Sequence, residues 1–286
     1  MTTMPPDAVR RRLAAAALAA PLLLAGRGVC SQAQPQAPLT LTLAPFLSPA
    51  SLLAAFRPLR EHLERRLARP VEMISTKDFR SLCESVKAQR QDVAMLPAHL
   101  ARLAVTDWGH QPLAATIDTL DVVVLVRQDS PARSAADLRG GTVAMLDPLA
   151  LTATVGRLWL SEQGLLETVT VQTVPSINSA LFALDRGDAG AVIAGRTQLL
   201  GLSVNTPRSD RVLVTLRGIP GPIYVARPGM AAAELDTLRT AMLSFRHDAT
   251  RPVTAANSSL HAVEPALLQQ LDALAAIARR TLAAGG

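Results

Sequence analysis

The sequence predicts an α/β protein of two lobes, each a mixed, mostly parallel sheet flanked by helices and joined to the other by a hinge of two crossing segments. Three observations predict it. From Leu39 onward, short runs of strand period alternate with stripes of helical period, the pattern of parallel sheets with crossover helices. The chain has 286 residues, 49% of them hydrophobic, enough for a large core and close to the length at which one core divides. Two segments, Leu113–Ile117 and Ile219–Pro222, read as passages from one lobe to the other and back. Residues 34–116 and 217–286 then make a discontinuous first lobe, and residues 117–216 the second.

The elements follow in order. Leu39-Thr40-Leu41-Thr42-Leu43 alternates with period two, as a half-buried strand does. Ser48-Pro49 opens a helix, with a cap residue before a proline in the first position. Leu52, Phe56, Leu59, Leu63 and Leu67 form its apolar stripe, opposite Arg57, Arg60, Glu61 and Glu64. Pro70–Met73 reads as the second strand. Thr76 is positioned to cap a helix over Lys77–Ala88, and Asp92–Leu96 is a third strand stopped by Pro97. In the second lobe, Asp121–Arg127 is apolar throughout its centre, as in a sheet covered on both faces. A short helix at Ser134–Gly140 precedes a strand at Thr142–Leu146. Helices at Thr152–Gln163 and Asn178–Arg186 end at Gly164 and Gly187. Strands at Val169–Val174, Ala191–Ala194 and Arg211–Thr215 complete that lobe. A strand at Ile223–Arg227 and helices at Ala232–Arg246 and Glu264–Ala283 return to the first. No internal repeat is visible.

The first 33 residues have the layout of an export signal. Arg10, Arg11 and Arg12 precede an apolar stretch, Leu13–Gly26, too short to span a bilayer as a helix. Ser31-Gln32-Ala33 offers small residues where a signal peptidase reads, so cleavage is expected after Ala33 and a periplasmic location follows. The arginines also suggest a twin-arginine signal, although Leu13-Ala14-Ala15 fits that pattern poorly. Cys30 suggests a lipoprotein, but Arg27 and Val29 stand where lipid-modification sites prefer leucine and a small residue.

Charge and composition narrow the function. Arg10, Arg11, Arg12, Arg27 and Asp7 lie in the signal, so 29 basic and 23 acidic residues become 25 and 22 in the mature chain, a net of +3. That mild balance, with few aromatics and no basic run, argues against nucleic acid. Cys83 is left as one thiol on an apolar stripe with Phe79, Leu82 and Val86, so no internal disulfide is expected. His62, His99, His110, His247 and His261 are too scattered for a zinc site, and no metal or other cofactor is expected. There is no Gly-x-Ser-x-Gly elbow, no phosphate-binding Gly-rich loop with Lys-Ser/Thr and no His-Glu-x-x-His, so no catalytic residues are assigned.

Several segments together resemble one family. They are Phe56–Leu63, Arg69–Glu72, Asp92–Pro97, Asp129–Pro131, Ala136–Ala144, Asp147-Pro148 and Ser179–Gly187. On these the chain resembles the phosphate/phosphite/phosphonate-type periplasmic substrate-binding proteins of ABC importers, which have the type II periplasmic-binding fold. The resemblance implies an exported, monomeric solute-binding protein that closes over a small anionic or polar organic ligand and passes it to an inner-membrane ABC permease. A protein that reports occupancy to a membrane sensor kinase is the alternative, and an enzyme on the same fold a third. In such a fold the ligand faces helix starts between the lobes, where free N–H groups and the helix dipole hold an oxyanion.

The ligand-facing residues implied are Phe46, Ser48, Pro97, His99, Leu149, Thr152, Thr154, Ser176, Asn178 and Ser179. Ser48, Thr152 and Ser176 also stand where a hydroxyl caps a helix, worth about 0.5–2 kcal/mol, and one side chain can serve both purposes. The chain departs from the family pattern at Phe46, Ala150, Ala153, Ile177 and Gly190, each of which removes a hydroxyl, a glycine, a histidine or an acid found in phosphonate binders. A less charged, partly apolar ligand is therefore expected. Tyr224 is placed at the return crossing, and Arg196 at a strand end where it could meet an anion.

Overall fold

The computed structural model describes residues 37–116, 119–200, 209–246, 248, 250 and 254–284. The segment expected to be an export signal, the expected cleavage point after Ala33, Cys30 and most of the linker that follows lie outside the described residues. So do His247 and the residues at 117–118.

Eleven strands form two mixed sheets among the described residues. In the first, β1 (Leu39–Leu43) lies parallel between β2 (Val71–Ser75) and β3 (Val93–Leu96). β10 (Ile223–Ala226) then runs antiparallel between β3 and β4 (Gln111–Thr116), and β11 (Leu260–His261) adds an edge to β4. The second sheet has the order β7 (Thr170–Thr173), β6 (Thr142–Met145), β8 (Ala191–Gly195), β5 (Leu120–Arg127) and β9 (Asp210–Ile219). Four pairings are parallel and five antiparallel, a more even mixture than expected. The chain passes between sheets after Thr116 and again after Ile219. The described residues fall in one compact unit.

Local chemistry accounts for the helices. α1 (Pro49–Leu67) starts where Ser48 Oγ accepts the Ser51 N–H, and it buries Leu52, Phe56, Leu59 and Leu63. α2 (Phe79–Lys87) is capped by Asp78, whose Oδ1 accepts the Ser81 N–H at 2.7 Å. The expected cap, Thr76, instead donates its hydroxyl to the Asp78 carbonyl, so the helix begins two residues later than predicted. A carboxylate at a helix start is favoured by the dipole as well as by the hydrogen bond, which decides between the two. α5 (Ile177–Arg186) runs from the Ser176 cap to Gly187, whose φ of +79° only glycine adopts readily. The short helix expected at Ser134–Gly140 is one 3₁₀ turn, Ala135–Leu138, fixed by reciprocal bonds between Ser134 and Asp137.

Other elements differ from expectation too; α6 (Arg196–Leu200) and β11 were not predicted, and four differences are instructive. α3 (Ala98–Asp107) was not predicted, because its first seven residues are apolar except His99 and Arg102, all but Arg102 are buried, and Thr106 and Asp107 extend its polar side only at the end. The stretch taken as a crossing at Leu113–Ile117 is mostly β4, a strand in the first sheet. β9 is about twice the predicted length. A bulge opposite Val122 lets it turn at Gly218, with φ +78°, and continue to Ile219. The single helix expected at Glu264–Ala283 is two, α8 (Pro265–Gln270) and α9 (Asp272–Ala284), meeting at the fully buried Leu271. The remaining helices are α4 (Leu151–Glu162), α6 (Arg196–Leu200) and α7 (Ala232–Leu243).

The core fits the apolar patterns. Val122–Val126 are all buried, as the doubly covered strand required. Cys83 is buried beside Phe79, Leu82 and Val86, and burial pushes its thiol up to about 12, which leaves it inert. Tyr224, at the return crossing, is fully buried. Asp92 joins three strands: its carboxylate accepts from the Thr40 N–H and hydroxyl and from Arg227 Nε.

Candidate functional site

A cavity lies between the two sheets, where strand ends and helix starts meet. From the first sheet it receives Ala44 and Phe46 after β1, Met95 and Pro97 at the end of β3, and Pro222 before β10. Phe79 of α2 and Ala255 close that side. The other side is Leu120 of β5, Ala150, Leu151 and Thr152 at the start of α4, and Thr197 and Gln198 of α6. The cavity has a volume of about 40 Å³, room for roughly three waters. A larger groove, about 670 Å³, lies behind the first sheet, but its charges are engaged with one another. Arg69 meets Glu234 at 3.0 Å and Arg227 meets Asp92 at 3.1 Å.

Of the helices that begin at the cavity, α3 after Pro97 and α4 after Ala150 have no side-chain cap. The first N–H groups of any helix lack partners within it and carry about half a positive charge at their end. The loop before α4 is held rigid, since Asp147 Oδ1 accepts the Leu149 N–H at 2.8 Å. Within the first turn, Thr152 is 1% exposed and its Oγ1 has no hydrogen-bond partner. A buried hydroxyl without a partner costs about 1–3 kcal/mol. Thr152 lines the cavity, so a ligand atom is positioned to relieve that cost. Thr154 differs: its Oγ1 donates back to the carbonyls of Pro148 and Ala150.

His99 sits in the first turn of α3, fully buried, with neither ring nitrogen hydrogen-bonded. Burial drives its pKa down to about 3, opposed only by the backbone of Leu149 in the loop before α4. The ring is therefore neutral. No carboxylate, arginine or lysine is among the described residues that line the cavity. Arg196 is turned away to Asp121 Oδ2 at 3.6 Å and Thr215 Oγ1 at 3.1 Å.

Of the residues singled out in the sequence, Phe46, Pro97 and Thr152 line the cavity. His99, Leu149 and Thr154 are buried around it without lining it. Ser48, Ser176 and Ser179 are outside it, in pairs at the starts of α1 and α5: Ser48 with Ser51, Ser176 with Ser179. Asn178 is exposed on α5. Thr197 and Gln198 were missed. Their signal was weak but present, a strand closing on Gly195 and followed at once by two hydrogen-bonding side chains. The apolar liners Ala44, Phe79, Met95, Leu120, Ala255 and Pro222 carry no local signature that separates them from core.

Comparisons with known proteins agree with this arrangement. A family model described as "ABC transporter, phosphonate, periplasmic substrate-binding protein" matches residues 41–271. A search of curated proteins returns no match. Among solved structures, a binding protein component of an ABC phosphonate transporter from Pseudomonas aeruginosa superposes with a TM-score of 0.73 at 15% identity, covering 88% of this chain and 89% of that one. A methylphosphonate-bound protein from Prochlorococcus marinus gives 0.71 at 11% identity, over 85% and 97%. The alkanesulfonate-binding protein of Xanthomonas axonopodis pv. citri, bound to MOPS, gives 0.63 at 17% identity, over 87% and 94%. At such identities these likenesses establish the fold, the type II periplasmic-binding architecture.

Proposed function

The chain belongs to the periplasmic substrate-binding proteins of phosphonate-type ABC transporters, and from that premise we propose that it captures a small tetrahedral oxyanion with a short apolar tail and hands it to an inner-membrane permease. One observation carries the proposal: the uncapped start of α4 faces the cavity with the unpartnered, buried hydroxyl of Thr152 beside it. The oxyanion would take the helix N–H groups and the Thr152 hydroxyl, and Phe46, Phe79 and Met95 would cover the tail. Because the cavity as described has room for roughly three waters, hinge motion at the two passages between sheets would open it to admit the ligand and close it again, with residues 34–116 and 217–286 moving against 117–216. The protein would act as a monomer after removal of its first 33 residues, without catalysing a reaction on the ligand.

The test is a thermal-shift and calorimetric screen of methylphosphonate, ethylphosphonate, methanesulfonate, phosphate and small carboxylates. A ligand that binds only the folded state raises the melting point. Thr152→Val keeps the shape and removes the hydroxyl, so affinity should fall by about 1.5–3 kcal/mol, the worth of a hydrogen bond to a charged group. Equal affinity in wild type and variant, or no binding across the panel, would refute the assignment.

A further inference from the structure

We infer that Gln198 sets which polar end of a ligand the cavity accepts, admitting an anion with a plain apolar tail and turning away one whose tail carries an ammonium. The inference rests on the anion-binding reading above and adds the tail's chemistry to it.

The Gly195 backbone N–H donates to Gln198 Oε1 at 3.0 Å. Only the carbonyl oxygen of a carboxamide can accept an N–H, so this bond fixes which way the amide faces. Nε2 is left with no partner among the described residues, on a side chain that lines the cavity. Gly195 is what allows the approach. A Cβ there would lie 2.9 Å from Gln198 Oε1 and 2.8 Å from Leu120 Cδ1, so a larger residue would push the amide away. The presented group is thus a held N–H donor, not a freely rotating amide.

The rest of the described lining reinforces that polarity. Its polar side chains are Thr152, Thr197 and Gln198, with no carboxylate among them. The buried Thr152 hydroxyl supplies a second fixed group without a partner. An oxyanion oxygen, or an ether or carbonyl oxygen on the tail, finds donors here. An ammonium on the tail would face the Gln198 N–H groups, and with no carboxylate in the described lining only neutral hydroxyl oxygens would replace its hydration. A site built to hydrogen-bond one polarity rejects the other strongly, because its buried groups stay unpaired.

Calorimetry with ethylphosphonate and 2-aminoethylphosphonate on the purified protein tests this. Wild type should bind ethylphosphonate at least about ten-fold more tightly. Gln198→Glu keeps the oxygen that receives the Gly195 N–H and replaces the donor by a carboxylate oxygen, so the order of preference should invert. Gln198→Met, which removes both polar atoms, should weaken ethylphosphonate by about ten-fold without improving the amino compound. Melting curves of both variants confirm the fold. Preference of wild type for the amino compound, or unchanged dissociation constants in both variants, would overturn the inference while leaving the anion site standing. If neither compound nor ethanesulfonate binds wild type at all, the anion-binding reading falls and this inference with it.

Discussion

Lowering the pH from 7.5 to 5 should destabilise the folded protein through His99. Burial takes the folded pKa from 6.5 to about 3, and no described carboxylate compensates. Below pH 6.5 the unfolded ring takes up a proton and the folded ring does not, so stability is complete above 6.5, declines with acidification and levels off below about 3. Each unit is worth about 1.36 kcal/mol, which amounts to about 2 kcal/mol lost by pH 5. For a chain of this length that is a fall in Tm of about 4–8 °C. The assay is urea unfolding of wild type and His99→Leu at several pH values between 7.5 and 5. His110 is also shifted down by burial and contributes to both proteins equally, so the difference between the two profiles isolates His99. The carboxyls of Asp78, Asp92 and Asp107 lie below their ordinary values and titrate outside this window. Profiles that run parallel, with no flattening in the variant, would refute the reasoning.

Other substitutions separate binding from stability. Asn178→Ala should leave ligand affinity unchanged in calorimetry, because the side chain is exposed on α5 away from the cavity. Asp78→Ala should cost about 0.5–2 kcal/mol in chemical denaturation while Thr76→Ala costs less, since Asp78 holds the cap. Gly156→Ala should destabilise by about 1–3 kcal/mol, because the added Cβ would meet Ile193 Cγ2 at 2.8 Å and Cδ1 at 2.9 Å. For Asp92, burial raises the carboxyl pKa but the bonds from Thr40 and Arg227 outweigh it. Its contribution is therefore present above the unfolded value of 3.8 and lost as the pH falls through the depressed folded value, and Asp92→Asn should remove that part of the acid limb.

Most of the fold was legible because its signals are local. The alternation at Leu39–Leu43, the stripe behind Ser48-Pro49, the apolar run at Val122–Val126 and the stops at Gly164 and Gly187 each depend on a few neighbouring residues. Where tertiary contacts decide, the reading failed. α3 gathers most of its polar side only in its last turn, β4 is a strand only because β10 and β11 lie beside it, and α8 and α9 separate so that Leu271 can be buried. The site divides in the same way. Thr152 and Pro97, which line the cavity, were singled out because helix starts are written into the sequence. Ser176 and Asn178 were included because α5 starts in the same manner, yet no residue of α5 is among those lining the cavity. Gln198 became visible only with the Gly195 bond that orients it.

The position of β10 has a consequence for how the chain assembles. β4 pairs only with β10 and β11 among the described strands, and both come from residues more than a hundred positions later. During synthesis β3 and β4 must therefore wait, each with an open edge, until the second sheet's whole sequence has been made. Residues 223–226 then enter as a wedge between them. The second sheet, drawn from one continuous stretch, can settle first. Late strand insertion of this kind makes folding slow and leaves edges open to wrong partners, so a stop codon placed just before Ile223 should yield not a smaller working protein but an unfinished sheet prone to aggregate.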